Sequence, residues 1–373
     1  MAGLEIITVQ TRSDTTDFIN LPWKIYENYP LWAPPIKSLV RRLLDPAKHP
    51  FWKFSERVLF LARRGPETVG RIAGIVDGNY NQHHNTKMGA WGFFECTRDT
   101  EAAAGLFKAV EDWVRKKGMT FLRGPLNPSM NYECGLLIEG FEQAPTIMMS
   151  YNPPYYADLI EANGFKKEKD LIALRMAETD RQSQRIERLA RRIMKKNSLI
   201  TIRPINMKDL NREVKLINQI FRECWEGNWG FVPMTDEELR ESVRDLPKIA
   251  DPDLIFFPYY GDDPAGVSML LPDANPVLKR LNGKIGLLGL VKMAIYRKEV
   301  TGVRGVLFGI KKRYQRLGVA LVCWDYGNRK MREKGYKYFE MGWNLEDNTG
   351  INQWDSELGA VVNKRYRIYR KDL

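Results

Sequence analysis

The sequence predicts an α/β protein with two tandem units, and three observations lead to this fold class. A chain of 373 residues is long for one domain and comfortable for two. Each half opens with a short alternating apolar run, at 4–10 and 199–205, which predicts a strand. Between 306 and 335, an apolar strand passes through a basic, glycine-containing turn into a helix, an order typical of α/β units.

Two segments match each other closely enough to indicate an internal repeat. RKKGMTFLRGPLN at 115–127 lies over REKGYKYFEMGWN at 332–344 at an offset of 217, which places Asn127 on Asn344. The C-terminal parts of the two copies match again at an offset of 195. Because repetition decides the whole architecture, the two halves are interpreted as copies of one unit.

Apolar spacing predicts the helices and the boundary between the copies. In the first copy, i, i+3, i+4, i+7 spacing predicts a helix whose buried face is formed by Ala103, Leu106, Phe107, Val110, Trp113 and Val114. Between the copies, a strongly basic helix carries a narrow apolar stripe of Ile186, Leu189, Ala190 and Ile193. Its basic face is either solvated or a surface for nucleic acid or membrane. The predicted domains are 1–179 and 199–373, joined by a basic linker helix at 180–198.

Charge and cysteine content restrict the environment and the partners. The net charge of +12 favours an anionic partner, which could be a phosphate-bearing cofactor, a nucleic acid or a membrane surface. The four cysteines are far apart, which argues against a metal site or a disulfide framework and fits a cytoplasmic protein. No signal peptide is expected at the N-terminus.

One apolar-leaning run, at 277–296, contains four basic residues and is too charged for a transmembrane helix. It is interpreted either as an amphipathic flap at a membrane surface or as a buried helix pair broken at Gly283 and Gly286. The first interpretation implies peripheral contact with the inner face of a membrane.

The basic turn has the residue types that hold a pyrophosphate. Gln315, Gly318 and Ala320 stand in a Q-x-x-G-x-A spacing at a helix N-terminus, where backbone N–H groups point outward. A side chain at Gly318 would block the approach of a phosphate. Four cations surround the turn: Lys311, Lys312, Arg313 and Arg316. In the first copy, Glu101 falls on Gly318 and would repel a phosphate, so one site per chain is expected.

With this turn, the strand YKYFEMGW and the stretch from EMGWNLEDN to KRYRIYRK, the chain resembles the GNAT superfamily of acyl-CoA-dependent N-acyltransferases over roughly 199–373. The last stretch resembles a poorly characterised bacterial branch. The resemblance implies two tandem GNAT-like domains, the first degenerate, each a mixed, mostly antiparallel twisted sheet flanked by helices (α+β).

The resemblance also implies acetyl-CoA or a longer acyl-CoA as cofactor. The implied CoA-binding positions are Phe308, Gly309, Ile310, Lys312, Arg313, Gln315, Arg316, Leu317, Gly318, Val319, Ala320 and Asn348. The alternative for Gly309 is a glycine needed only for packing.

Acyl transfer to an amine needs a base and a proton for the leaving thiolate. The resemblance implies Glu340 as base, with Tyr338 on the same strand face by alternation. The alternative for Glu340 is an edge carboxylate paired with a lysine. The chain departs from the family at the general acid, because Asp355 occupies the position of the family's tyrosine. An aspartate is ordinarily ionised at neutral pH and a poor acid.

The first copy contributes a stretch at 124–165 in which prolines and asparagines predict ordered loops. Six of its polar residues are predicted to bind the acceptor: Asn127, Asn131, Glu133, Tyr151, Asn152 and Tyr155. The alternative is a turn-rich connector whose asparagine side chains bond to backbone.

The sequence therefore predicts an acyl-CoA-dependent N-acyltransferase acting on a small-molecule or lipid amine, with a long-chain acyl group as one option. The alternative is a non-catalytic CoA-binding or regulatory protein with a degenerate GNAT fold, which the aspartate at 355 favours. A nucleic-acid partner is disfavoured because the aromatic-basic recognition motif is missing.

Overall fold

The computed structural model describes residues 3–177 and 180–373, with side chains described except at 180–183, 287, 288, 290 and 294. The chain forms two compact units. The first comprises Met1–Leu171, Leu278–Met293 and Lys364–Leu373, and the second comprises Ile172–Val277 and Ala294–Asn363. The sequence assigned 199–373 to one domain, whereas 278–293 and 364–373 belong to the first unit. The predicted end of the first domain, at 179, lies outside the described residues.

Sixteen strands and thirteen helices are described. The strands are β1 Leu4–Thr8, β2 Ser55–Arg64, β3 Glu67–Asp77, β4 Met88–Cys96, β5 Phe121–Gly124, β6 Leu126–Asn127, β7 Glu133–Cys134, β8 Leu136–Glu139, β9 Lys166–Ala177, β10 Ile200–Pro204, β11 Ile255–Tyr260, β12 Asp263–Pro264, β13 Gly266–Pro272, β14 Gly302–Ile310, β15 Tyr338–Leu345 and β16 Val361–Asp372. The helices are α1 Arg12–Ile25, α2 Lys37–Leu44, α3 Gly78–His84, α4 Thr100–Lys116, α5 Tyr156–Ala162, α6 Asp180–Lys196, α7 Leu210–Trp225, α8 Asp236–Val243, α9 Leu246–Ile249, α10 Asn275–Leu281, α11 Leu287–Tyr296, α12 Val319–Glu333 and α13 Thr349–Glu357.

The two units share one strand order. In the first, β1, β2, β3 and β4 are successive antiparallel neighbours, and β4 pairs parallel with β5. In the second, β10, β11, β13 and β14 are antiparallel neighbours, and β14 pairs parallel with β15. Each parallel pair is joined by a crossover helix, α4 or α12, as parallel strands require. The predicted tandem α/β fold with mostly antiparallel sheets is confirmed.

The apolar face of α4 is buried as predicted, with only Trp113 partly exposed. Leu106, Phe107 and Val110 pack into a core with Trp91 of β4. The equivalent core of the second unit contains Val322 and Cys323 of α12 and Phe339 of β15. In each unit, the crossover helix follows the strand that ends the antiparallel series, β4 or β14. Its first turn therefore lies near the end of that strand.

The predicted linker helix forms α6 and belongs to the second unit. The apolar stripe predicted on this helix is only partly buried. Ile186 and Ala190 are buried and Ile193 is partly buried in the core, whereas Leu189 is 38% exposed.

The run at 277–296 forms two helices separated at Gly283, whose φ of 81° suits a glycine. In the first unit, Lys37 N–H donates to the Gly283 carbonyl at 3.0 Å, and Trp23 Nε1 donates to Asn282 Oδ1 at 2.7 Å. The break predicted at Gly283 is therefore present and is held against α1 and α2. Within the described residues, no helix is both long enough and apolar enough to cross a membrane.

Candidate functional site

β14 and β15 pair along only part of their length. Their parallel register ends at Gly305↔Met341, although β14 continues to Ile310 and β15 to Leu345. One extra residue, Val306, interrupts the register of β14 with β13. A bulge of this kind bends a strand and ends its pairing. The strands separate at this point, and the space between 306–310 and 342–345 is called the strand gap.

The strand gap borders a cavity of about 130 Å³ inside the second unit, lined by residues of β14, β15, α12 and α13 among others. Its wall is mostly apolar, and nine aromatic side chains are described in it: Trp225, Phe256, Phe308, Trp324, Tyr336, Tyr338, Phe339, Trp343 and Trp354. The Phe308 and Trp354 rings are stacked with their centroids 5.6 Å apart. This aromatic wall is not predicted from the sequence. Its members lie far apart in the chain and meet only in the fold.

The segment Lys311–Gly318, called the phosphate turn, follows β14 directly. Lys312–Leu317 form a 3-10 helix, and Gly318 has a φ of 79° before α12 begins at Val319. Among the residues that the structure describes, no side chain caps the N-terminus of α12. The first amides of a helix have no partner within the helix, so this end can accept an anion.

Side chains of the phosphate turn hold its conformation and give it positive charge. Gln315 Nε2 donates to the Ile310 carbonyl at 2.9 Å, which ties the turn to the end of β14. Arg313 is paired with Asp263 at 2.5 Å, so its charge is partly neutralised. Lys312 and Arg316 are exposed and leave positive charge at the surface of the turn.

Gly318 is required by backbone and packing together. A Cβ there would lie 2.8 Å from Ile193 Cδ1 of α6, and the positive φ would strain any other residue. Glycine at this position therefore serves the packing of α6 as well as any phosphate.

The other predicted CoA positions lie in different surroundings. Phe308 lines the cavity, and Val319 and Ala320 are in the first turn of α12. Leu317 and Asn348 are exposed. A Cβ on Gly309 would lie 2.4 Å from the Trp225 ring, so the packing interpretation of Gly309 has a physical basis.

The two predicted catalytic residues are engaged in structural contacts. Glu340 is 1% exposed, accepts a hydrogen bond from Asn363 Nδ2 at 2.8 Å, and is not among the residues lining the cavity. Tyr338 does line the cavity, but its hydroxyl donates to Asp273 Oδ2 at 2.9 Å. Burial, followed by the Asp273 carboxylate, raises the pKa of Tyr338. Neither contact leads toward the strand gap.

Asp355 differs from its sequence-based expectation. It lies on α13, is 3% exposed and lines the cavity. Burial raises its pKa to about 6, and the hydrogen bond from Asn344 opposes that rise. The sequence predicted an ordinary ionised aspartate, which is a poor acid. The apolar surroundings instead bring the pKa of this carboxyl closer to neutral pH.

Four of the six residues predicted to bind the acceptor hydrogen-bond to backbone of the first unit. Asn127 Oδ1 accepts from Phe93 N–H at 2.6 Å. Asn152 is buried and bonds to Leu137 through both its Oδ1 and Nδ2. The hydroxyls of Tyr151 and Tyr155 donate to the carbonyls of Phe141 and Cys96, respectively. These contacts match the turn-connector alternative, while Asn131 and Glu133 lie on the loop and strand nearby.

The helix N-terminus equivalent to the phosphate turn is closed in the first unit. Asp99 caps α4 by accepting from Ala102 N–H at 3.0 Å. Arg64 pairs with both Asp99 and Glu101 at 2.6 Å. Internal carboxylates thus occupy the end at which an anion would bind.

Comparisons with known proteins agree with the fold. The chain is 33% identical over 382 residues to the bacterial ceramide synthase of Caulobacter vibrioides (strain NA1000 / CB15N), covering 100% of this chain and 98% of the relative. It is 32% identical over 374 residues to protein YghO of Escherichia coli (strain K12), covering 98% and 95%. No protein-family model matches.

Solved structures with low sequence identity share the architecture. A tandem GNAT protein from the clavulanic acid biosynthesis pathway superposes with a TM-score of 0.55 at 11% identity, covering 99% of this chain and 98% of that one. A GCN5-related N-acetyltransferase from Sphaerobacter thermophilus gives 0.52 at 13% identity, covering 99% and 95%. The chain therefore belongs to the bacterial family that includes the Caulobacter ceramide synthase and YghO, and it has the tandem GNAT fold.

Proposed function

We propose that the chain is an acyl-CoA-dependent N-acyltransferase that transfers a long-chain acyl group to the amine of a lipid-like amino alcohol. The observation that carries the proposal is the apolar cavity beside the strand gap. The phosphate turn directly follows β14, one of the two strands that border this gap. The name of the Caulobacter relative supports the choice of substrates, since a ceramide is the amide of a fatty acid and a long-chain amino alcohol.

The phosphate turn fits the pyrophosphate of CoA. Gly318 presents no side chain, the N-terminus of α12 offers backbone amides, and Lys312 and Arg316 supply exposed positive charge. These residues would hold the phosphates, and the strand gap would receive the pantetheine. Bound in this way, CoA supplies an activated thioester; the chain orients it and excludes water.

The cavity suits a longer acyl group than acetyl. It is lined along α12 from Cys323 to Arg332, a span of about 13 Å at ~1.5 Å per residue. Gly327 lies inside that helix, where glycine costs about 1 kcal/mol relative to alanine, and a Cβ there would lie 3.2 Å from Leu270 Cδ1 of the cavity wall. A volume of about 130 Å³ is close to that of an apolar cavity known to bind benzene. The rest of a long chain would leave through the open side.

An unpartnered donor in the wall also fits a ligand. Trp324 Nε1 is buried and has no hydrogen-bond partner in the described part of the chain. Buried polar groups are rarely left without a partner, so an acceptor atom of the substrate is the expected one. Trp324→Phe should therefore weaken acyl-CoA binding more than it changes the unfolding free energy.

Membrane contact through 278–293 is part of the same proposal. Ile285 and Val291 are 48% and 56% exposed, and Lys284 and Lys292 beside them are exposed as well. Exposed apolar and basic side chains together favour an anionic lipid surface. The side chains of Leu287, Leu288 and Leu290 lie outside the described residues. Flotation with anionic vesicles, using Ile285→Ser/Val291→Ser as the comparison, tests this surface.

The central experiment is calorimetric titration with acetyl-CoA and palmitoyl-CoA, followed by an assay with palmitoyl-CoA and sphinganine. Mass spectrometry detects the amide, and a thiol reagent detects free CoA. We expect one site per chain, tighter binding of the long-chain thioester, and equal amounts of amide and thiol.

Two outcomes contradict parts of this proposal. Failure to bind either thioester refutes the CoA site, and binding without amide formation across a panel of amines favours the regulatory alternative. Arg316→Glu should weaken binding, whereas Arg212→Glu, the same change at an exposed position on α7, should not.

A further inference from the structure

The reaction proposed above needs a group that moves one proton, and the cavity wall offers few. Among the described residues lining the cavity, Asp355 is the one carboxylate, and none is a histidine. The Tyr338 hydroxyl keeps its proton and donates a hydrogen bond to Asp273, and burial raises the pKa of the Cys323 thiol and keeps that thiol neutral. The other charged side chains described in the cavity wall are the cations Arg332 and Lys337.

Asp355 is held by a chain of amides. Asn344 Nδ2 donates to Asp355 Oδ2 at 2.8 Å and to Asn352 Oδ1 at 3.1 Å. Asn352 Nδ2 in turn donates to the Leu345 carbonyl at 2.9 Å, which ties the group to the end of β15. In the described part of the chain, Asp355 Oδ1 receives no hydrogen bond. One oxygen is thus fixed and the other is available to a substrate.

We propose that Asp355 accepts the proton released by the attacking amine and returns it to the departing sulfur. The inference rests on the proposed function. In the reaction, the amine nitrogen forms a bond with the thioester carbon, and its extra proton passes to the Asp355 carboxylate. The carbon–sulfur bond then breaks, its electron pair goes to sulfur, and Asp355 protonates that sulfur. Amide and thiol leave, and the carboxylate is restored without any further reactant.

The surroundings of Asp355 suit both halves of this cycle. Burial raises its pKa to about 6, with the Asn344 hydrogen bond opposing the rise. At pH 7 to 8 the carboxylate predominates and can accept a proton. Its pKa is still near the working pH, which is the condition for efficient general acid–base catalysis. The chain can therefore do without the tyrosine that the family has at this position.

The test compares Asp355→Asn with the wild type in the palmitoyl-CoA and sphinganine assay. We expect kcat to fall by about 10²–10⁴-fold, as for loss of a general acid–base group. Palmitoyl-CoA affinity measured by calorimetry should change less than about threefold, because the asparagine keeps the shape of the side chain. Glu357→Gln, an exposed carboxyl on the same helix, is the matched control and should leave kcat unchanged.

The pH profile separates proton transfer from a structural role. Wild-type kcat should rise with pH through an inflection near that of Asp355, and Asp355→Asn should lack the inflection while Asp355→Glu keeps one. Asn344→Ala removes a hydrogen bond that favours the charged form, so its inflection should move to higher pH.

The outcomes distinguish this inference from the function on which it rests. Asp355→Asn with wild-type kcat and an unchanged pH profile overturns the proton role alone. A wild-type protein that binds palmitoyl-CoA but acylates no amine overturns the proposed function and the proton role with it.

Discussion

The buried carboxyl of Asp355 should lower the stability of the folded protein at neutral pH, so replacing it with asparagine should stabilise the chain. Its pKa is raised from 3.8 to about 6, mainly by burial. Between those values the folded state binds more protons than the unfolded state, and the free energy of unfolding falls as pH rises. This is the reverse of the common carboxyl whose pKa is lowered by a partner.

The magnitude follows from the shift in pKa. A difference between 3.8 and about 6 corresponds to about 3 kcal/mol once the group is fully ionised, at ~1.4 kcal/mol per pKa unit. By the linkage relation, the raised pKa of Asp355 lowers the free energy of unfolding by about 3 kcal/mol at pH 7.5 and by about 1 kcal/mol at pH 4.5. Asparagine has nearly the same shape and carries no charge at either pH. The increase in unfolding free energy of Asp355→Asn over wild type should therefore be about 2 kcal/mol larger at pH 7.5 than at pH 4.5.

The assay is urea unfolding of wild type, Asp355→Asn and Glu357→Gln at both pH values, followed by tryptophan fluorescence. Trp354 is adjacent to Asp355, and Trp324 also lies in the wall of the same cavity, so unfolding of the second unit contributes to the signal. Glu357 is exposed, and Glu357→Gln should give the same small difference at both pH values. An Asp355→Asn gain that is absent, or equal at pH 4.5 and 7.5, would refute the claim that burial raises this pKa.

Three further predictions concern glycines and the degenerate copy. Gly318→Glu should abolish acetyl-CoA binding in calorimetry and lower the unfolding free energy by at least about 1–2 kcal/mol. The cause is the left-handed backbone together with the contact to Ile193; full stability in thermal melting would contradict it. Gly327→Leu should fill the cavity and lower turnover of palmitoyl-CoA at least tenfold relative to butyryl-CoA, whereas an unchanged ratio would place the acyl chain elsewhere. Glu101→Gly removes one partner of Arg64 but leaves the Asp99 cap, so calorimetry should still give one CoA per chain, and a value of two would refute the closed first site.

Local patterns predicted what depends on neighbouring residues. The buried face of α4 follows from the 3.6-residue period, and the phosphate turn follows from the glycine and cations around it. The strand alternation around Glu340 was also local. What it could not reveal is that Glu340 is buried outside the cavity wall and accepts a hydrogen bond from Asn363.

Long-range contacts account for what the sequence analysis missed. The raised pKa of Asp355 arises from burial among residues distant in the chain, whereas the composition near 355 suggests an ordinary exposed aspartate. Likewise, 364–373 reads as the end of the second copy but pairs within the first unit, where Tyr369 lies opposite Gly124. A single sequence does not reveal which distant residues will be in contact in the fold.

The two copies of the fold differ at the positions of the proposed site. In the first unit, the space beside β4 is filled by the chain itself. A Cβ on Gly92 would lie 1.8 Å from the Leu126 carbonyl oxygen, and Asn127 accepts the hydrogen bond of Phe93 N–H. The repeat places Asn127 on Asn344, so the same residue type closes the gap in one copy and holds the Asp355 carboxyl in the other. Since the first copy also covers its helix N-terminus with Asp99, opening a second site would require changes at both places, which is why a single substitution at Glu101 should fail.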